Sequence, residues 1–167
     1  MPVRYNYFYH SNPPAQVTLD PNGLLVFGAL LPVEIHVPPQ LAQSLGQANQ
    51  PIPQPQSGLS LIDTGCTFTS VHEPLLIALG LHPINVVQSG TANGPVDQNV
   101  YAVRLNFPTL GWDVGLLEVT GSNLAGQTTP ASHGQAPQLL VALIGRNLLA
   151  ACSFHWDGSA GFWSISW

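Results

Sequence analysis

Hydrophobic and polar positions take turns along much of this chain. Val33, Ile35 and Val37 alternate with Glu34 and His36, the period of two that a half-buried strand requires. The same period runs through Tyr101, Val103, Leu105 and Phe107, with Val100, Ala102, Arg104 and Asn106 between them. It returns in Cys152, Phe154 and Trp156, and again in Trp163, Ile165 and Trp167, with Asp157-Gly158 opening the turn between these two runs. Apolar runs at 24–31, 59–62 and 139–144 read as compact strands, and 112–119 as another. One helix is expected over 72–79: Ser70 and Glu73 form a capping box, Leu75, Leu76 and Leu79 follow, and Gly80 closes the end. Pro74 sits in its first turn, where the missing N–H costs nothing.

The connections are equally marked. Residues 38–58 hold Pro38, Pro39, Pro51, Pro53 and Pro55 and read as a loop around one helical turn at 41–45. Strands at 86–88 and 99–107 flank a turn-rich segment, 89–95, forming a long hairpin. A polar, uncharged loop spans 121–138, and a short helix begins within 145–149. Residues 1–20 read as an arm carrying Tyr5, Tyr7, Phe8 and Tyr9, followed by one domain over 21–167 without internal repeats. Those aromatics could pack on the domain, occupy a cleft or stay unordered. The fold class that results is all-β, with one or two short helices.

Composition narrows the function. Charged residues make up 7% of the chain, against about 25% in an average soluble protein. There is no Lys, and the cations are Arg4, Arg104 and Arg146, so the basic footprint needed to displace counterions from nucleic acid is missing. A polybasic membrane patch fails for the same reason. No apolar run approaches the roughly 20 residues of a membrane span, and the first residues lack the pattern of a secretory signal. A cytoplasmic protein with reduced Cys66 and Cys152 is expected, one that binds neither nucleic acid nor membrane. His10, His36, His72, His82, His133 and His155 show no zinc-type spacing, so neither a metal nor another cofactor is expected.

Chemistry concentrates where the 59–62 run delivers Asp63-Thr64-Gly65. About 80 residues on, a second apolar run ends in Ile144-Gly145-Arg146-Asn147-Leu148-Leu149. This pair of segments, with a hairpin between them, resembles the retropepsin-like aspartic proteases, and the likeness extends over about residues 22–167 in the order of its elements. The resemblance implies a closed, β-barrel-like acid protease fold with half an active site per chain. Catalysis would then need a homodimer, with Asp63 from each copy at the two-fold axis. Two carboxyls sharing one site cannot both ionise, so the pair holds one proton, activates a water and protonates the oxyanion of the peptide substrate.

Supporting roles follow from the same resemblance. Thr64 would bond across the dimer axis, and Gly65 would leave room for the substrate backbone. Thr69 and Asn147 would hydrogen-bond each other beneath the site, beside Gly145 and a structural Arg146. Gly90, Thr91, Ala92, Asn93 and Gly94 would form a flap over an extended, apolar-flanked peptide. The C-terminal Trp163/Ile165/Trp167 stripe would serve as core or as part of the subunit interface. Two positions depart from the pattern: Cys66 stands where Ala or Ser is usual, and Thr67 where an acid pairs with the Arg after Gly145. The rival reading is a catalytically idle or latent module of the same fold that dimerises or binds peptides.

Overall fold

The computed structural model describes residues 4–8, 10–11, 18–19, 21–91, 94–129 and 137–167. In chain order the elements are β1 (Arg4–Phe8), β2 (His10–Ser11), β3 (Thr18–Leu19), α1 (Pro21–Phe27), β4 (Leu30–His36), α2 (Pro39–Gln47), β5 (Gln56–Ile62) and β6 (Ser70–His72). There follow α3 (Glu73–Ala78), β7 (Asn85–Thr91), β8 (Gly94–Phe107), β9 (Trp112–Ser122), β10 (Leu140–Ile144), α4 (Arg146–Leu149), β11 (Ser153–Asp157) and β12 (Phe162–Ser166). One sheet runs β4-β5-β10-β6-β9-β8-β7, and a further pairing of β4 with β8 closes six of its strands into a barrel. The protein is β-rich, as its sequence pattern predicts. Closure removes the free edges of those six strands and leaves β7 outside the ring.

The alternations predict the core. Val33 and Ile35 of β4 and Tyr101, Val103, Leu105 and Phe107 of β8 all point inward and are buried. They pack with Leu31, Val119, Ala142, Ile144, Trp163 and Ile165 in a single hydrophobic cluster. On β8 the intervening residues keep their polar business outside: Arg104 donates to Asp113, and Asn106 donates to Glu34 at 2.8 Å.

Three sequence expectations give way here. The first is the 24–31 strand, whose first half is α1. Leu24 is buried while Leu25 is 80% exposed, and Gly28 ends the helix at φ +72° by donating its N–H to Leu24 O. Continuous apolar runs carry no period that separates the two structures. The second is the single turn at 41–45, which belongs to the nine-residue α2; its Pro39 occupies the first helical turn, where a proline is tolerated. Among the described residues four short helices therefore replace the expected one or two.

The third is the capping box. α3 ends as expected, in a Schellman motif: Gly80 (φ +71°) donates to Ile77 O and Leu81 to Leu76 O. Its start has no side-chain cap. Ser70 lies in β6 between β10 and β9, and Glu73 accepts from Asn99 Nδ2 at 2.8 Å and Tyr101 OH at 2.7 Å.

The C-terminal stripe takes the core place expected of it: Trp163 and Ile165 are buried in the main cluster, with Trp167 packed against it. β12 is the middle strand of a second sheet, β1-β12-β11, so both of its edges are hydrogen-bonded within the chain. Of the places open to the N-terminal aromatics, Tyr7 takes the packed one, stacking on Trp163 with ring centroids 5.7 Å apart. Trp167 stacks on Trp112, and Trp112 on Phe107, which anchors this second sheet to the barrel. Among the described residues no helix is long and apolar enough to cross a membrane.

Candidate active site

Two parallel strands end side by side, and the site is built on that. β5 and β10 pair in parallel with Leu61 opposite Leu143 and Ile62 opposite Ile144. The chain therefore leaves β5 at Asp63 just where it leaves β10 at Gly145, and Asp63 N–H donates to Ile144 O at 3.0 Å. Asp63 then shapes its own turn. Its Oδ1 accepts from Gly65 N–H at 2.9 Å and its carbonyl from Cys66 N–H at 3.2 Å. A Cβ on Gly65 would come 3.1 Å from that same Oδ1.

The following loop is clasped by the start of α4. Arg146 N–H donates to Cys66 O at 2.9 Å and Asn147 N–H to Thr67 O at 3.0 Å, which satisfies amides that a helix start leaves open. The two backbones approach so closely that a Cβ on Gly145 would lie 2.4 Å from the carbonyl carbon of Phe68. Its φ of −89° suits any residue, so the glycine is there for space. Thr69 Oγ1 donates to Asn147 Oδ1 at 2.9 Å and accepts from Gly145 N–H at 3.1 Å. Asn147 Nδ2 reaches on to Glu118 O at 2.9 Å, tying the site to β9.

Arg146 finds neutral partners. Its guanidinium donates to Thr64 O at 2.9 Å, Gly65 O at 3.3 Å and Thr67 Oγ1 at 2.8 Å, so the hydroxyl at 67 takes the place of an acid. Thr64 is exposed, and its hydroxyl makes no hydrogen bond among the described residues. Cys66 and Cys152 are both free thiols. Burial first, and then the neighbouring Asp63 carboxylate, push the Cys66 thiol above its ordinary range.

The β7–β8 hairpin stands across from this loop. Gly90 pairs with Pro95 and Thr91 with Gly94, while the predicted flap residues Ala92 and Asn93 lie outside the described residues. Between loop and hairpin is an open cleft of about 370 Å³, walled by Gly65, Cys66 and Phe68 on one side and Gln88, Ser89 and Gly90 on the other. Its floor is a row of strand residues in register: Leu143 opposite Ser70, and Ser70 opposite Thr120. Ser70 and Thr120 are buried and share a hydrogen bond of 2.7 Å between their hydroxyls. One row on, Gln98 Nε2 donates to Ser122 Oγ at 2.7 Å.

These floor residues escape a reading of the sequence, where Ser70 looks like a helix cap, Thr120 falls just past the expected strand and Ser122 in the expected polar loop, whereas β9 runs on to Ser122. The signal available is a hydroxyl at alternate positions, Thr120 and Ser122, at the end of a strand. Among the described residues no group of three His, Cys, Asp or Glu side chains is placed to hold a metal ion.

No family model and no curated protein matches the chain. Among solved structures it is similar to the solution structure of a simian foamy virus (mac) protease, at 20% identity over 73% of this chain and 92% of that one, with a TM-score of 0.41.

Proposed function

We propose that the protein is an aspartic endopeptidase that works as a homodimer, with Asp63 of each copy at a shared centre. The observation that carries this reading is the seat of Asp63. Asp63 leaves the end of a barrel strand with its backbone N–H donating to Ile144 O and its carboxylate accepting from Gly65 N–H, beside an open cleft. Thr64 presents an unengaged hydroxyl next to it, as a residue meeting a second copy would. The hairpin opposite supplies the wall that could close and exclude water, which strengthens every electrostatic interaction at the centre.

The chemistry needs only the two carboxyls. The ionised one accepts a proton from water as the water oxygen attacks the peptide carbonyl carbon, and the protonated one donates to the oxygen that becomes negative. Collapse of the tetrahedral adduct breaks the C–N bond, and the amine leaves with a proton from the pair. The apparent pKa values of such a centre belong to the pair.

The test is cleavage of a diverse peptide library by wild type and Asp63→Asn between pH 3.5 and 7.5, with the mass in solution recorded. Cleavage by a wild-type dimer and none by the variant is expected. Cleavage that persists in Asp63→Asn overturns the assignment.

One observation favours the rival reading, an idle or latent module. β12 has both edges occupied by its own chain, so a partner cannot add to it until β1 or β11 moves aside. An intact dimer that cleaves nothing at any pH would make that reading the better one.

A further inference from the structure

The cleft beside Asp63 is lined differently from what an apolar-flanked peptide would need. Apart from Leu143 and Phe68, the side chains around it are hydroxyls, primary amides and a thiol, and none carries a charge. Arg146, the nearest cation on the loop, is turned back onto Thr64 O, Gly65 O and Thr67 Oγ1. Among the described residues of the cleft wall, a substrate carboxylate would find no cation and a substrate ammonium no carboxylate. An alkyl side chain would strip water from Gln98, Ser122, Gln88 and Ser89 and return no hydrogen bond, which is unfavourable for each group left unpaired.

The Gln98–Ser122 pair defines what fits. Ser122 Oγ accepts from Gln98 Nε2, which leaves the Ser122 proton free to donate and Gln98 Oε1 free to accept. Neither group has another partner among the described residues. A donor and an acceptor on adjacent positions, both half-buried, are the complement of one group that accepts at an oxygen and donates at a nitrogen. A primary carboxamide does both at once. The pair sits at the joint of hairpin and barrel, since Gln98 is opposite Val87 on β7 and Ser122 opposite His72 on β6. A side chain bound there would be held by the base of the hairpin as its backbone passed Asp63.

Resting on the peptidase reading above, we propose that the cleft selects peptides carrying a Gln or Asn side chain, read by Gln98 and Ser122. Two hydrogen bonds gained or lost together correspond to a discrimination of about tenfold or more.

The experiment uses octapeptide pools in which one position at a time is fixed as Gln, Asn, Leu or Glu and the others are equimolar mixtures. Cleavage by wild type and retention on immobilised Asp63→Asn protein are measured in parallel. At one position the Gln and Asn pools should be cleaved, and retained, about tenfold better than the Leu and Glu pools. Gln98→Leu and, separately, Ser122→Ala should reduce that preference to within about twofold, with unchanged mass and melting temperature. If wild type cleaves nothing while Asp63→Asn retains the amide pools in a Gln98-dependent way, the peptidase reading fails and the recognition stands. Preference for Leu or Glu at every position, an amide preference untouched by both variants, or no retention of any pool overturns the proposal.

Discussion

Thr69 and Asn147, 78 residues apart in the chain, are joined through one oxygen: Asn147 Oδ1 accepts the Thr69 amide at 2.7 Å and the Thr69 hydroxyl at 2.9 Å. The same oxygen also takes Leu148 N–H at 3.0 Å. This side chain therefore fixes both the loop after Asp63 and the first turn of α4. Asn147→Ala leaves the amide of fully buried Thr69 without a partner, at a cost of about 1–3 kcal/mol for that group alone. Thr69→Ser keeps the hydroxyl and should cost far less than Thr69→Val, which loses the hydroxyl's bonds to Asn147 Oδ1 and from Gly145 N–H while keeping the amide's. Urea unfolding of the three variants measures this, and equal losses for Ser and Val at position 69 would refute the role of the hydroxyl.

Gly145→Ala should be among the most damaging single-methyl changes in the protein. The added carbon would sit 2.4 Å from Phe68 C and 2.5 Å from Phe68 O, both backbone atoms that cannot rotate away. Relief requires β10 or the 66–68 loop to move, which breaks the Arg146 and Asn147 amide bonds to that loop. A loss above about 3 kcal/mol, or failure to fold, is expected. Gly46→Ala is the control, since no atom lies within 4 Å of the place its methyl would take and the helix favours alanine. Thermal melts of both variants decide the matter.

The sequence says more about the barrel than about the cleft, and the reason is visible in individual residues. On β8 the inward set Tyr101 to Phe107 is legible because one face is buried throughout, so period alone reports the structure. Asp63, Gly145 and Asn147 are legible because they lie in two short motifs whose strands pair directly. Ser70 misleads because its neighbours along the chain suggest a cap, whereas its position is decided by β9 and β10 on either side. Gln98 falls just before an expected strand and Ser122 in an expected loop until the pairing of β8 with β9 brings them together, and no local pattern encodes that register. Leu24 and Leu25 have the same hydropathy and opposite exposure, and a run of apolar residues alone does not tell the helix α1 from a strand.

Tyr101 and Glu73 should give the stability of the fold a limb at each end of the pH scale. Hydrogen bonds from Asn99 first and Tyr101 second hold the Glu73 carboxyl below its ordinary range. That contribution is complete above the unfolded carboxyl range and is lost as pH falls through the lowered folded-state value. Burial first, then the Glu73 contact, push the Tyr101 hydroxyl from 10.0 up to about 12. Its contribution is complete below pH 10.0 and is lost as pH rises toward about 12. Tyr101→Phe should therefore flatten the alkaline limb of stability against pH and weaken the acid one, without abolishing the latter, because Asn99 still donates. Denaturant unfolding from pH 3 to 11.5 would show it, and an alkaline limb unchanged in Tyr101→Phe would refute the assignment.

Cys66 offers a direct reading of the charge on Asp63. Its thiol is raised by burial and then by the carboxylate beside it, whereas Cys152 is raised by burial alone. The thiolate is the species that alkylates, so both residues should react with iodoacetamide more slowly than a free cysteine at pH 8. Asp63→Asn removes the negative charge next to Cys66 and leaves Cys152 with the same surroundings. Alkylation of Cys66 should then quicken, while the rate at Cys152 stays as in wild type. Peptide mapping by mass spectrometry resolves the two sites, and Cys152 controls for any general loosening of the fold. If both rates rise together, the variant has opened the structure and the effect is not electrostatic. If neither changes, the carboxylate and the thiol are not neighbours in the folded protein, and the turn drawn from Asp63 to Cys66 is wrong.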